Sequence, residues 1–481
     1  MHNINEIKIK KNDIYWGYLA QLIVIISGLV LLPLILHYLS DEEIGFNYLM
    51  LSVAAIIQLL DFGFSSQFSR NFSYVFSGAQ KLEKNNLDEN NNIDNVNYKL
   101  LKKLISSAKL VYFIISTLSL VFLLTLGTYY ISITTNQFTN VDNALSIWLL
   151  FSFSIFLNIY FTYYNSLVLG RGLIAKFNKI TILGRILQLV LNVTLLQIGY
   201  GLLGIVIGNF VYPFCTRYLL HRIFYDQEIK YELSKEIVTF REVIDTFKIV
   251  WYNTKKIGLV TLGSYIINKS SLFLSGLYLS LPQVASFGLM LQLFGYVTTI
   301  GSTLNSVIQP RLSSLRISNK KEILIREFAL SMSYYYILQI LGSMFVITIV
   351  PRLLNFIDSS VILPASTILV IYAVIKILEQ NHSLFATLIV IGNNVPFVKP
   401  SLMSGLAIIT VIILWSNYIG TSILVFVLVP GLVQLLYNNW KWPKVVFKDY
   451  DIDVFKYFHI VLIEFNKSIK KQYNIYVGRY L

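Results

Sequence analysis

Five charged residues lie well inside stretches of sequence that are otherwise apolar, away from the stretch ends: Lys269, Lys376, Arg185, Asp61 and Glu379. A lysine, arginine or carboxylate at the centre of a membrane helix costs roughly 2.5–3.5 kcal/mol on insertion scales, so it is kept where it faces a wet cavity or a partner. Lys269 and Lys376 sit about 13 and about 15 residues into their apolar runs, which at 1.5 Å per residue puts both near mid-bilayer. Two central cations point to an anionic cargo. Glu379, three residues beyond Lys376 on the same helical face, supplies the alternative that the lysine is neutralised by its neighbour. Asp61 and Arg185 stand at comparable depths in the first half and are read in the same two ways, as a buried ion pair or as groups that act on cargo. Glu379 or Asp61 would also suit a proton taken up on one side and released on the other.

The elements that must carry these groups are membrane helices. The 481 residues are 55% hydrophobic and 13% charged, with a mean hydropathy of +0.63, which no soluble surface could accommodate. A span of about 20 residues crosses the hydrocarbon layer. Twelve segments qualify, near residues 15–37, 46–69, 108–130, 145–168, 179–198, 200–220, 256–280, 284–308, 328–350, 361–391, 398–418 and 420–438. Basic residues collect in alternate connections: Lys8 to Lys11, Arg70 to Lys103, Arg171 and Lys176, Arg217 to Lys256, Arg311 to Arg326, and Lys399. The opposite connections hold Asp41, Glu42, Glu43 and Asp142, with Arg352 the one clear basic residue. The positive-inside rule then puts both termini in the cytoplasm. The net charge of +14 fits an anionic membrane face better than nucleic acid.

The chain also repeats itself. Tyr38, Leu39 and Ser40, followed by Ile44, Gly45, Leu49 and Met50, align with Tyr278, Leu279 and Ser280, followed by Val284, Ala285, Leu289 and Met290. Two similar halves are expected, and duplicated helical membrane proteins commonly carry a substrate route between their repeats. The organisation read from this is a six-helix bundle over residues 1–220, a cytoplasmic linker over 221–255, a second bundle over 256–438 and a tail over 439–481. In the tail, Phe455, Phe458, Leu462, Phe465 and Ile469 recur at helical spacing beside Lys456, Lys467, Lys470 and Lys471, the pattern of a helix lying on the inner leaflet. Residues 83–97, rich in asparagine, read as a solvated loop.

Diagnostic soluble motifs are absent: no Gly-rich loop ending in Gly-Lys-Ser/Thr, no His-Glu-x-x-His, no Gly-x-Ser-x-Gly. Cys215 is the one cysteine, which excludes an internal disulfide and a cysteine-based metal site. Neither a cofactor nor a metal is expected, and enzymatic activity is not. Asn158, Tyr160, Tyr163, Tyr164 and Asn165, with Tyr265, Asn268 and Asn305, supply hydroxyls, amides and ring faces of the kind that hold sugars, although the same residues also glue helices together.

At LLPLILHYLSDEEIGF, LLDFGFSSQFSRNFSYVFSGA and YLSLPQVASFGLMLQLFG the chain resembles the Wzx-type polysaccharide repeat-unit flippases of the multidrug/oligosaccharidyl-lipid/polysaccharide exporter superfamily. The resemblance implies an all-α, MATE-like fold of two six-helix bundles around a central cavity. It also implies alternating access that carries an undecaprenyl-diphosphate-linked oligosaccharide from the cytoplasmic to the periplasmic leaflet of the inner membrane, as in O-antigen synthesis. The diphosphate would account for Lys269 and Lys376, with Arg185 as a further binding group and Arg70 recruiting cargo at the cytoplasmic mouth. Asp61 and Glu379 would pair with these cations or couple the cycle. Expected partners are the lipid-linked oligosaccharide, membrane lipids, and a polysaccharide polymerase with its chain-length machinery. The competing readings are a multidrug or cation antiporter of the same superfamily, which would favour acidic central residues, a membrane scaffold that transports nothing, and a glycosyltransferase or polymerase.

Overall fold

The computed structural model describes residues 11–82, 96–317, 320–391 and 396–477. The asparagine-rich stretch lies almost entirely outside them. Among the described residues the chain is helical and contains no strand. Contact density divides it into two units, Met1–Tyr265 with Ser280–Pro282, and Ile266–Leu279 with Gln283–Leu481.

The first unit opens with α1 (Lys11–Tyr38), α2 (Asp41–Gln58), α3 (Phe64–Phe76) and α4 (Tyr98–Phe122). It continues through α5 (Thr128–Thr134), α6 (Ala144–Tyr160), α7 (Tyr163–Gly170), α8 (Ile174–Gln197), α9 (Gly201–Phe224) and α10 (Gln227–Lys235). Helix α11 (Phe240–Tyr278) crosses the division. The second unit holds most of α12 (Leu281–Ile317), then α13 (Lys321–Thr348), α14 (Val350–Phe356), α15 (Ser366–Ile391), α16 (Val398–Tyr418), α17 (Ile423–Leu436), α18 (Asn438–Tyr450) and α19 (Val454–Val477). Eleven helices among the described residues are long and apolar enough to cross a membrane. They match eleven of the twelve expected spans. The other, expected at 256–280, falls in α11, a 39-residue helix outside that set.

The internal repeat marks a real boundary in both places. Helix α1 ends at Tyr38 and α2 begins at Asp41; α11 ends at Tyr278 and α12 begins at Leu281. The closing backbone bonds coincide as well, Leu39 N–H to the Ile35 carbonyl and Leu279 N–H to that of Ser275. At the first junction Ser40 accepts from the Glu43 N–H while Glu43 accepts from the Ser40 N–H, a capping box that starts α2 sharply. Glu43 also accepts from Leu202 N–H at 3.1 Å, tying the start of α2 to the start of α9.

Each unit has its own apolar core. In the first, Phe64, Phe68 and Phe72 of α3 pack with Leu104, Tyr112 and Leu167 from α4 and α7. Gly170 lets α7 approach α3 closely, since a Cβ there would lie 2.4 Å from the Cβ of Phe72 and 2.8 Å from the Ser69 carbonyl oxygen. In the second, Phe328 and Tyr335 of α13 pack with Phe385 of α15, Trp442 of α18 and Tyr457 of α19. Outward-facing Leu22, Ile26 and Leu29 on α1, like Leu183 and Val190 on α8, are exposed, as hydrocarbon-facing positions should be.

The linker expected at 221–255 is mostly helix, made of the end of α9, α10 and the start of α11, and belongs to the first unit, where polar contacts clasp it. Arg171 pairs with Asp226 at 2.7 Å, Lys103 with Glu242 at 2.7 Å, and the Lys102 ammonium donates to the carbonyls of Leu233 and Glu236. The Lys103 ammonium, helped by the Thr239 backbone N–H, holds the Glu242 carboxyl down to about 2. Because the folded value lies below the ordinary carboxylate range, the contribution of Glu242 to the clasp is complete above that range and is lost as pH falls through about 2. At neutral pH, Glu242→Gln should therefore speed amide hydrogen exchange in the first turns of α11 while leaving α6 unchanged; equal exchange rates in the two proteins would show that the clasp holds nothing.

Candidate functional site

The second expected span, 46–69, is not one helix. Helix α2 stops at Gln58, a 3₁₀ turn covers Leu59–Asp61, and Phe62 and Gly63 take positive φ of 49° and 85° before α3 starts at Phe64. Gly63 tolerates that backbone; Phe62 is held there by its ring, 5.9 Å from that of Trp251 on α11. Asp61 thus occupies a break in the helix. Its carboxylate accepts from the Ser65 N–H at 3.3 Å, the Ser65 hydroxyl at 2.9 Å and the Tyr112 hydroxyl at 2.7 Å, so it caps α3 and ties it to α4.

The ion pair considered between Asp61 and Arg185 does not form. Asp61 spends its acceptors on Ser65 and Tyr112. Arg185, on α8, donates to Gln188 at 2.8 Å and stacks 4.2 Å over the Tyr212 ring of α9, while its buried Nε has no hydrogen-bond partner. Gln188 passes the chain on to Asn209 of α9. The partners are a neutral amide and an aromatic face, and among the described residues no carboxylate cancels the guanidinium charge.

Arg70 lies within α3, where a connecting loop was expected. It donates to Gln67 at 2.9 Å and borders a groove of about 750 Å³ between α3, α7 and the start of α8. Ser65, Ser66, Ser69 and Ser73 line one wall; Asn165 and Ser166 line another. Behind this groove is a cation that the charge alternation assigns to a connection. Arg217, on α9, donates to Asn165 and, at 3.2 Å, to Asn158. Two of the amides read as sugar-holding groups therefore hold an arginine. Arg217 lies so near the end of the expected span 200–220 that the sequence groups it with the loop charges, and its partners emerge only from the fold.

In the second unit Lys376 pairs with Glu379 at 2.7 Å, with side-chain exposures of 22% and 14%, and its ammonium lies 5.3 Å from the Tyr372 ring centroid. Of the two readings open for this pair, the neutralised one is what the structure contains. Lys269, on α11, lies within electrostatic reach of Lys376 yet makes no ion pair among the described residues. The stripe continues along α15 and its neighbours: Tyr336 donates to Asn381, and His382 bonds Asn439 at 2.7 Å. Asn305, another amide read as sugar-holding, instead accepts from Ser331 at 2.7 Å. Among the described residues no group of His, Cys, Asp and Glu could hold a metal ion.

No family model matches the chain, and no curated protein does. Solved structures do resemble it. The lipid II flippase MurJ in an inward closed conformation superposes with a TM-score of 0.60 at 12% identity, covering 97% of this chain and 92% of the other. An inward-facing multidrug resistance MATE family transporter of the MOP superfamily gives 0.58 at 11% identity, over 90% and 94%. The MATE multidrug transporter DinF-BH gives 0.56 at 15% identity, over 93% and 97%. At these identities the likeness is one of fold: the chain has the helical architecture of the MATE and MurJ transporters.

Removing one member of the Lys376–Glu379 pair strands the other in a largely apolar unit, which typically costs about 3–5 kcal/mol, whereas removing both is close to neutral. Lys376→Met should accordingly lower the melting temperature of the purified protein, and Lys376→Met with Glu379→Met should recover most of the loss. A double variant no more stable than the single one would show that the pair is not the lysine's structural role.

Proposed function

We propose that the chain is a flippase that carries an undecaprenyl-diphosphate-linked oligosaccharide repeat unit from the cytoplasmic to the periplasmic leaflet for surface polysaccharide synthesis. The observation that carries this reading is an imbalance of charge. Both expected membrane carboxylates are engaged inside the protein, Asp61 by Tyr112 and Ser65 and Glu379 by Lys376, while Lys269, Arg185 and Arg217 have no carboxylate partner among the described residues. Spare positive charge within the spans of each unit, taken separately, attracts phosphate and repels organic cations. That weighs against a cation exporter, although two of the three structures named above are multidrug transporters. The likeness to a protein named as a lipid II flippase supports a lipid-linked cargo.

In this account Lys269 is the principal diphosphate group. Lys376 adds to the field when its hold on Glu379 loosens, and Arg185 contributes charge within the first unit. Arg70 and the serine groove receive the anionic headgroup or its first sugar, since hydroxyls and a guanidinium donate to both phosphate and glycan oxygens. Asp61 and Glu379 are the coupling candidates, because a change in either one's partners would change its affinity for a proton. The protein would sit in the inner membrane with both termini cytoplasmic and deliver its product to a polymerase and its chain-length machinery.

The test is genetic and chemical. Deleting the gene should strip the surface polymer while intact lipid-linked repeat units accumulate. Complementation with Lys269→Gln should restore inserted, folded protein but reduce polymer output about tenfold or more, the factor expected for loss of one charge-assisted contact. Full polymer output from a protein lacking both Lys269 and Lys376 would overturn the proposal.

A further inference from the structure

The tail helix does not expose the whole of its apolar side. Tyr457 and Val461, four residues apart on α19, are buried in the core of the second unit, with the Tyr457 ring 5.3 Å from those of both Phe385 and Phe447. A neighbouring stripe is left uncovered. Phe455 is 88% exposed and Leu462 61%, and Phe458 between them is half-exposed. Next to α19 in the same unit, α18 presents a half-exposed Trp440 with the Lys444 ammonium 6.0 Å from its ring. Lys441, Lys444, Lys448 and Lys456 have no carboxylate partner among the described residues, whereas Lys467 pairs with Glu464 at 2.8 Å.

We propose that the outward face of α18 and α19 is a docking surface for anionic phospholipid, with Phe455, Phe458 and Leu462 among the acyl chains and the four free lysines against headgroup phosphates. An indole beside lysine at the end of an apolar helix suits the membrane boundary, and apolar and cationic stripes side by side are what an interfacial helix requires. A second copy of the chain would bring the same lysines against each other, so self-association through this face is disfavoured by its own charge. Because Tyr457 and Val461 pin α19 to the core, the lipid contact would reach α13 and α15 directly.

The single cysteine makes the test clean. In full-length protein carrying Cys215→Ser and Leu462→Cys, an environment-sensitive fluorophore on the new thiol is followed after reconstitution into vesicles. One set is phosphatidylcholine alone and the other contains phosphatidylglycerol as well. Chromatographic behaviour and melting temperature of the labelled protein verify that it is folded. The proposal expects blue-shifted emission quenched by acyl-brominated lipid in the phosphatidylglycerol vesicles, and quenching reduced severalfold by Lys444→Gln with Lys456→Gln. Equal lipid quenching in both vesicle types would overturn the anionic-headgroup assignment. Quenching by aqueous iodide would overturn membrane contact altogether, and shielding from both quenchers would assign the face to a protein.

Discussion

Hydrocarbon offers no partner to a charge or an amide, so every polar group placed there must find one in the protein, in trapped water or in cargo. Most of the described structure follows from that constraint. Asp61 is met by a tyrosine and a serine, Glu379 by a lysine, and Arg217 by two asparagines. Among the described residues Arg185 Nε and both side-chain polar atoms of Gln339 find no partner within the protein, which leaves them to water or cargo. Among the described residues the spare charge of the ionised groups in the spans is positive, and the reading of an anionic cargo rests on it.

The same constraint explains why the break between α2 and α3 persists. Interrupting a membrane helix frees backbone groups, and here a side chain meets part of the need: the Asp61 carboxylate takes the Ser65 N–H that lacks a helical partner. The Phe62 ring then fills the space against Gly258 and Trp251, where a Cβ on the glycine would lie 2.0 Å from the ring. Removing that aromatic contact would leave a non-glycine residue at positive φ with nothing to hold it there. Beyond the break, α3 carries its serines and Arg70 along the groove that it lines with α7 and the start of α8.

Much of this architecture is legible in the residues. The apolar runs locate the helices to within a few residues at most ends, and the duplicated Tyr-Leu-Ser words mark the same helix boundary twice, at Tyr38 and Tyr278. The pairing of Lys376 with Glu379 follows from their spacing. What escapes reading is local backbone and choice of face. LLDFGF is apolar enough to pass as continuous helix, and nothing in its hydropathy reveals that Asp61 caps the next helix from a turn. Arg217 groups with the loop charges because it lies near a span's end, and Asn158 and Asn165 cannot be matched to it without the fold. In α19 the apolar arc is too wide for periodicity to separate the buried stripe of Tyr457 and Val461 from the exposed one of Phe455 and Leu462. Only the packing of α13 and α15 selects between them.

The claim that spare positive charge serves an anionic lipid-linked cargo is tested most directly by purified protein in sealed vesicles. Lipid-diphosphate-linked oligosaccharide is loaded in the inner leaflet and its arrival outside is followed with an impermeant lectin, in parallel with uptake of a cationic dye by the same vesicles. The account predicts lectin-accessible glycan that appears with the protein and not without it, and no dye movement. Dye transport with the glycan left inside would contradict it.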